Sequence, residues 1–264
     1  MSNDLFYKLS GTHNSFLFLD AINSSALLLG LQGSLTRAQW SKKLASKHQV
    51  DGIVFVEKPN QQLKWDFFNA DGSPAEMCGN AARCMVWYNH NVLKGDDHCC
   101  FETAAGQVCG KLLGSHTSII EMPKILDIKN FPTDELGLCY YVKAGAPHFV
   151  INRFGTNEEL KAIVDDLNGF MIQSFPDGIN ISFFDFETED TINAITYERG
   201  VNDFTKACGT GAVAMALVAD FIRPNPSKYR KVKMPGGLLE VYLDGPRPKL
   251  SGAVEDLGKV SFSS

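Results

Sequence analysis

Residues 78–86 read CGNAARCMV, and residues 208–216 read CGTGAVAMA. Aligning Cys78 with Cys208 brings cysteine, glycine, alanine and methionine together at relative positions 1, 2, 5 and 8, at an offset of 130 residues. Residues 105–108 (AGQV) and 236–239 (GGLL) align at an offset of 131. Because both offsets are close to half of the 264-residue chain, they indicate an internal duplication with one Cys-Gly motif in each half.

Hydrophobic patterning predicts the strands and helices on either side of these motifs. Short apolar runs predict strands at residues 52–56, 118–122, 139–143 and 179–184. Helices are predicted at residues 36–48, with Thr36 as N-cap, and at residues 158–167. The segments that start near Cys78 and Cys208 are rich in small residues on every side, which is typical of helices buried inside a domain.

Composition and charge narrow the classes of function. A net charge of -5 and 21% charged residues are typical of a globular protein and argue against nucleic acid as the main partner. The N-terminal residues lack a secretory signal pattern. Polar residues interrupt the apolar run at 16–31, so this run is not expected to span a membrane, and no membrane partner is expected. We therefore expect a cytoplasmic protein.

The seven cysteines are odd in number, which fits free thiols in a reducing compartment better than a disulfide framework. Adjacent cysteines after His98 match none of the usual zinc spacings, so no metal site is expected. Five cysteines are predicted to be small packing residues: Cys84, Cys99, Cys100, Cys109 and Cys139.

Cys78 and Cys208 each precede a predicted helix, where the positive end of the helix dipole favours a thiolate. The unpaired N–H groups of the first helical turn can bind a carboxylate. Two such ends facing each other across an interdomain cleft would allow one thiolate to remove an α-proton while the opposite thiol protonates the other face. From the residues alone, a packing role for both cysteines is equally consistent.

Longer stretches carry a family resemblance. Residues 68–84, FNADGSPAEMCGNAARC, resemble the first signature of diaminopimelate epimerases. Residues 197–200 (YERG), followed by 207–212 (ACGTGA), resemble the second. Weaker similarities occur at residues 8–16, 50–52, 145–148, 178–180 and 234–237, so the resemblance covers most of the chain.

The resemblance implies an α+β fold of two pseudo-symmetric α/β domains, each a curved, mostly antiparallel sheet around a central helix. The domains would be residues 1–122, with Cys78, and 123–264, with Cys208, the extreme C-terminal strand packing back onto the first. The implied activity is interconversion of LL- and meso-diaminopimelate in lysine and peptidoglycan precursor biosynthesis. No cofactor is implied, the partner is a small-molecule amino acid substrate, and a homodimer is compatible with the sequence.

The resemblance also assigns roles to single residues. Cys78 and Cys208 would be the two bases, assisted by His148 and Glu198, and Glu198 would also touch the substrate amino group. Arg199 would pair with the distal carboxylate, since a guanidinium binds a carboxylate in a bidentate fork. The reacting carboxylate and the rest of the substrate would be held by Gly79, Asn80, Gly209, Thr210, Asn14, Asn69 and Asn180.

Two departures from the family pattern bear on the substrate. Ala146 stands where the family usually has asparagine in Gly-Asn-Pro-His, and His13 stands where it usually has glycine before Asn14. A related two-cysteine racemase of another amino acid, such as histidine, is therefore an alternative, whereas Arg199 favours a substrate with a second carboxylate. A binding protein that has lost the chemistry and a redox-sensing protein are the alternatives from other classes.

Overall fold

Two compact units make up the chain. The computed structural model describes residues 5–22, 35–123, 125, 128–133 and 137–261, so the apolar run at 16–31 lies partly outside the described residues. The first unit combines Met1–Ile120 with Gly252–Ser264, and the second is Glu121–Ser251. The functional division into epimerase halves at residues 122 and 123 stays a prediction.

The first unit is a closed sheet with two described α-helices. Its elements are β1 (Leu5–Gly11), β2 (Asn14–Asp20), α1 (Arg37–His48), β3 (Gly52–Glu57), a 3-10 turn (Pro59–Gln61), β4 (Lys64–Asn69), α2 (Gly79–Asn91), β5 (His98–Thr103), β6 (Gly106–Gly114), β7 (Thr117–Glu121) and part of β16 (Lys249–Ser261). The strands pair in the order β1-β2-β3-β4-β5-β6-β7-β16, and β16 pairs again with β1. The C-terminal strand therefore closes the sheet.

The second unit is built from the middle of the chain. Its elements are β8 (Ile128–Thr133), β9 (Gly137–Ala144), β10 (Ala146–Ile151), α3 (Asn157–Ser174), β11 (Asn180–Phe186), β12 (Thr191–Glu198), β13 (Asp203–Thr205), α4 (Gly209–Ile222), β14 (Tyr229–Met234) and β15 (Gly237–Tyr242). The strands pair in the order β8-β9-β10-β11-β12-β14-β15, and β13 pairs with β12.

The two units repeat one topology. In the first, β2 and β3 are parallel neighbours joined through α1, and β4 and β5 are parallel neighbours joined through α2. In the second, β10 and β11 are joined through α3, and β12 and β14 through α4, again as parallel pairs. The remaining pairs with a recorded register are antiparallel, including the hairpins β5–β6 and β14–β15 that start at the repeated glycines Gly106 and Gly237. This agreement supports the duplication.

The helices begin where the sequence predicts. Thr36 accepts a hydrogen bond from the Gln39 N–H in a capping box, and Thr156 does the same with Glu159. The third helix runs past the predicted residue 167 to Ser174, because it continues through Gly169, which weakens the helical pattern. In the described residues, no helix is long and apolar enough to cross a bilayer.

Each unit has a helix inside its sheet and a second helix outside. In the first unit, α2 is buried on nearly all sides and contacts β1, β2, β5 and β6, whereas α1 packs on β3 and β4. In the second unit, α4 is buried and contacts β9, β10, β11, β12, β14 and β15. The helix α3 covers a cluster of apolar residues that includes Phe149, Ile181 and Phe183. The predicted α+β fold with central helices is confirmed.

The cysteines differ from the prediction at one pair. Cys100 and Cys109 lie directly opposite each other on β5 and β6 and form a disulfide, so the expectation that both are free packing thiols is wrong. Their pairing depends on strand register, which the cysteine count does not reveal. Cys84 and Cys139 are buried free thiols as predicted, and Cys99 is a half-buried free thiol.

Candidate active site

The first functional group lies at the start of α2. Cys78 is the N-cap residue, in an extended conformation with φ -135° and ψ 119°, and its carbonyl accepts the Ala82 N–H at 2.8 Å. The side chain of Cys78 is half-buried and makes no N-cap hydrogen bond within the described first unit. Gly79 and Asn80 are buried in the first helical turn, whose N–H groups have no acceptor one turn earlier in the helix.

The turn between β1 and β2 packs on this helix start. Thr12 and His13 both have positive φ, 55° and 62°, in a two-residue hairpin turn closed by the pairing of Gly11 with Asn14. A Cβ atom on Gly11 would lie 2.6 Å from the Asn80 carbonyl oxygen, so only glycine allows this close approach.

Asn14 and Asn69 lie at one end of the first sheet. Phe16 on β2 pairs with Gly52 on β3, and Gly52 pairs with Asn69 at the end of β4. Asn14 lies two residues before Phe16 on β2, at the same end of the sheet. The Asn69 amide donates to the Ser73 hydroxyl at 3.0 Å in the turn leading towards Cys78. Both asparagines therefore belong to the unit that carries Cys78.

The second functional group lies at the start of α4. Cys208 is the N-cap residue, 7% exposed, and its Sγ accepts the Gly211 N–H at 3.4 Å. The Thr210 hydroxyl lies 3.4 Å from the same sulfur. The Gly211 N–H donor favours a thiolate at this sulfur over a thiol.

A chain of buried hydrogen bonds continues from Thr210 to His148. The Thr210 hydroxyl lies 2.9 Å from His148 Nε2, and His148 Nδ1 lies 2.9 Å from the Ser182 hydroxyl. Ser182 is in turn 3.1 Å from the Thr196 hydroxyl. Burial, with a smaller effect of Arg199, lowers the pKa of His148 to about 3, so the imidazole is neutral at physiological pH.

The neutral ring of His148 fixes the orientation of its neighbours. Asn180 Nδ2 donates towards Nε2 at 3.4 Å, which places the ring proton on Nδ1, where it is donated to Ser182. Nε2 then accepts from the Thr210 hydroxyl, whose oxygen faces the sulfur. His148 acts on Cys208 through Thr210 and does not hydrogen-bond the sulfur itself.

The predicted Glu198-Arg199 pair lies beside the same network. Asn180 Oδ1 accepts the Arg199 N–H at 3.0 Å, and the Thr205 hydroxyl donates to Glu198 at 2.5 Å. The Arg199 guanidinium donates from Nη1 to the carbonyls of Asp177 and Gly178, at 2.9 and 3.2 Å. Among the described residues, its Nε and Nη2 have no protein acceptor, so this edge can bind an anion.

The predicted residues thus divide into two groups. Asn14, Asn69, Cys78, Gly79 and Asn80 belong to the first unit, and the rest to the second. Sequence reasoning missed Thr12, Arg83, Ser182, Thr196 and Thr205. Of these five, only Arg83 could have been noticed in the sequence, because a charged residue occupies the helix position where the other repeat has Val213.

Comparison with known proteins agrees with the signatures. The family model described as diaminopimelate epimerase matches residues 6–122. A diaminopimelate epimerase from Helicobacter pylori (strain HPAG1) is 30% identical, and the match covers 96% of this chain and 94% of the relative. One from Methanopyrus kandleri is 32% identical, covering 91% of this chain and 83% of the relative.

The chain belongs to the diaminopimelate epimerase family.

The fold of this family member also resembles solved structures of lower sequence identity. A predicted epimerase from Pseudomonas aeruginosa superposes with a TM-score of 0.71 at 12% identity, covering 99% of this chain and 100% of the other. At this identity the likeness concerns the fold alone. It agrees with the repeated helix-in-sheet topology of the two units.

The departure at Ala146 has a defined place in this member of the diaminopimelate epimerase family. Ala146 begins β10, two residues before His148, and its side chain is half-buried. Gly145 before it has φ 92°, and a Cβ there would lie 3.3 Å from the Thr210 methyl group. The turn therefore packs closely on Thr210, and Ala146 adds no hydrogen-bonding amide.

Proposed function

We propose that this protein is a cofactor-independent isomerase that interconverts LL- and meso-diaminopimelate, with Cys78 and Cys208 as its two bases. The observation that carries the proposal is that both cysteines are N-cap residues of the two buried helices, within a chain of this family. Each sulfur thereby lies beside the N–H groups of the first helical turn and the positive end of a helix dipole.

In the proposed reaction, the thiolate of one cysteine removes the α-proton while the thiol of the other delivers a proton to the opposite face. The substrate configuration inverts, and the two sulfurs exchange protonation states. No atom or electron is gained or lost by the protein. N–H groups of both helix starts, from Gly79, Asn80, Gly209 and Thr210, stabilise the charge that develops on the adjacent carboxylate.

The remaining residues support this reaction in separate ways. His148 accepts the Thr210 hydroxyl proton, which leaves the hydroxyl oxygen facing Cys208. Glu198 binds the substrate amino group. Arg199 pairs with the distal carboxylate through its Nε and Nη2 edge, and Asn14, Asn69 and Asn180 bind the rest of the substrate. We further propose that the enzyme is cytoplasmic and acts in lysine and peptidoglycan precursor biosynthesis.

One observation favours a second candidate substrate. Because Ala146 lacks an amide, one hydrogen bond to the distal end of the substrate is missing, at a cost of about 0.5–1.5 kcal/mol. A two-cysteine racemase of another amino acid, such as histidine, would tolerate this change. The Nε and Nη2 donors of Arg199, which have no acceptor in the part of the chain that the structure describes, weigh against it.

The test is α-proton exchange in deuterated water with LL-diaminopimelate, histidine and proline, followed by mass spectrometry. We expect deuterium in diaminopimelate alone, and loss of exchange by at least about 1,000-fold in Cys78→Ala and Cys208→Ala. Cys139→Ala is the matched control, because Cys139 is a buried free thiol in the apolar cluster covered by α3. Exchange of histidine but not of diaminopimelate would overturn the substrate, and full activity of both alanine variants would overturn the mechanism.

A further inference from the structure

Arg83 is a buried cation that the proposed mechanism does not use. It is 0% exposed inside α2, and its counterpart in the second repeat is Val213, which is also 0% exposed. A charged side chain in an interior position costs several kcal/mol unless it is paired or has another role. The valine in the second repeat shows that this helix position does not need a charge for packing.

The contacts of Arg83 all lead to the start of its own helix. Nη2 donates to Asn80 Oδ1 at 3.0 Å and to the Thr12 hydroxyl at 2.7 Å, and Nη1 donates to the Gly79 carbonyl at 3.4 Å. Among the described residues the guanidinium has no carboxylate partner, and Nε has no hydrogen-bond acceptor. Its charge is therefore not neutralised by an ion pair.

The charge persists at physiological pH. Burial lowers the pKa of Arg83 to about 10, and the charges of Cys84 and Cys78, if ionised, act in the opposite direction. Burial also raises the pKa of Cys84 well above its ordinary value, so Cys84 remains a thiol. Of the two cysteines that interact with the guanidinium, Cys78 is the one that can respond as a thiolate.

The contact with Asn80 fixes an amide in the first helical turn. Because Asn80 Oδ1 accepts from Arg83, the side-chain NH2 group is turned away from the guanidinium. Thr12 ties the same guanidinium to the β1–β2 turn that leads into Asn14. One buried side chain thus links the start of α2 to the β1–β2 turn.

We propose that Arg83 is a positioning residue for Cys78, holding the Asn80 amide in place and favouring the Cys78 thiolate with a fixed positive charge. This role deepens the proposed function. In the second unit, Cys208 contacts Gly211 and Thr210, and Thr210 links it to His148. The benefit of Arg83 to turnover rests on the proposed function, whereas its effect on the Cys78 thiol does not.

Other titratable side chains near α2 belong to the strands packed on it. Lys8 donates to the His48 carbonyl, Glu102 accepts from Gln62 and Gln107, and Lys111 pairs with Asp97. Burial, with smaller effects of Asp20 and Tyr7, raises the pKa of Tyr88, further along the helix. Burial raises the pKa of Cys99 on β5 to about 12, and His98 on that strand is exposed. None of these side chains hydrogen-bonds Arg83 in the described residues.

The test measures the pH dependence of alkylation of Cys78 by iodoacetamide, with peptide mass spectrometry reporting each cysteine separately. In the full-length wild-type chain we expect the midpoint for Cys78 to lie below the ordinary value of about 8.5. Arg83→Met should raise it by about one unit and slow alkylation of Cys78 at pH 7 by roughly three- to tenfold. Arg83→Lys should restore most of the lost rate, because it keeps the charge.

Two controls separate this role from a structural one. Cys208 in the same sample should keep its rate in every Arg83 variant. Arg230→Met removes another buried arginine, one that donates to carbonyls at the end of α4, and should leave the Cys78 profile unchanged. A wild-type midpoint at or above 8.5, or superimposable profiles for wild type and folded Arg83→Met, would overturn the proposal. Neither outcome depends on which substrate the enzyme uses.

Discussion

At the scale of single residues, the Thr210 hydroxyl stands between a sulfur and an imidazole. It lies 3.4 Å from Cys208 Sγ and 2.9 Å from His148 Nε2. Thr210→Val keeps the shape and removes the hydroxyl that links the sulfur to the imidazole. We expect kcat to fall roughly 10- to 100-fold, because the change breaks a buried hydrogen bond and removes the donor to His148 Nε2. Thr210→Ser, which retains the hydroxyl, should stay within about threefold. Equal loss in both variants would point to packing instead of hydrogen bonding.

His148 should affect stability in acid. Its folded-state pKa of about 3 lies below the ordinary 6.5, so the unfolded chain binds a proton first as the pH falls. The stabilisation from the neutral ring is complete above pH 6.5 and is lost as pH falls from there towards 3. Between pH 6 and pH 5 this residue should lower the free energy of unfolding by about 1 kcal/mol.

His148→Gln removes the titrating ring, so its stability should depend less on pH over that interval. Urea unfolding followed by circular dichroism at pH 5, 6, 7.5 and 8.5 measures the difference. Wild type and variant should show parallel curves at the two higher pH values. The pKa of His48 is also lowered by burial, but His48 is present in both proteins and contributes equally to both pH dependences. A full acid slope in the variant would contradict the neutral assignment.

At the scale of secondary-structure elements, the buried helices lie very close to their strands. A Cβ on Gly211 would lie 2.5 Å from the Thr196 hydroxyl and 3.3 Å from Cys208 Sγ. We expect Gly211→Ala to destabilise the protein by about 1–3 kcal/mol through overpacking. Gly169→Ala is the matched control, since nothing lies within 4 Å of the added methyl group in α3. That change should stabilise by about 0.5–1 kcal/mol, and urea unfolding of both variants tests the contrast.

A structural feature could be predicted from the sequence where the residues that cause it lie within a few positions of one another. Thr36 and the two Cys-Gly motifs predicted helix starts correctly, because capping and small-residue helices are readable within a few positions. The disulfide of Cys100 with Cys109 and the Ser182–Thr196 hydrogen bond were missed, since both depend on strand register. Arg83 was missed because its acceptor Thr12 is 71 residues away.

At the scale of the whole molecule, the first unit is discontinuous in sequence. The strand β16 pairs with both β1 and β7, so residues 1–122 alone leave two open edges and an incomplete sheet. We expect that fragment to aggregate or to lack a cooperative unfolding transition. A fragment joining residues 1–120 to 252–264 by a short flexible linker should unfold cooperatively. Fluorescence of Trp40, Trp65 and Trp87 reports on both, since all three tryptophans lie in this unit.

The same two fragments also give the outcomes that would contradict this prediction. Cooperative unfolding of residues 1–122 would show that β1 and β7 do not need their shared neighbour. Unfolding of both fragments without a transition would show that the first unit depends on the second for more than a covalent connection.

The strand β16 also has a consequence for biosynthesis on the ribosome. The first unit lacks its closing strand until 261 − 120 = 141 further residues have been added. At about 5–20 residues per second, this leaves the nascent sheet with open edges for roughly 7–28 s. The N-terminal half, although made first, is therefore completed last, and that interval is when a chaperone would protect the emerging chain from edge-to-edge association.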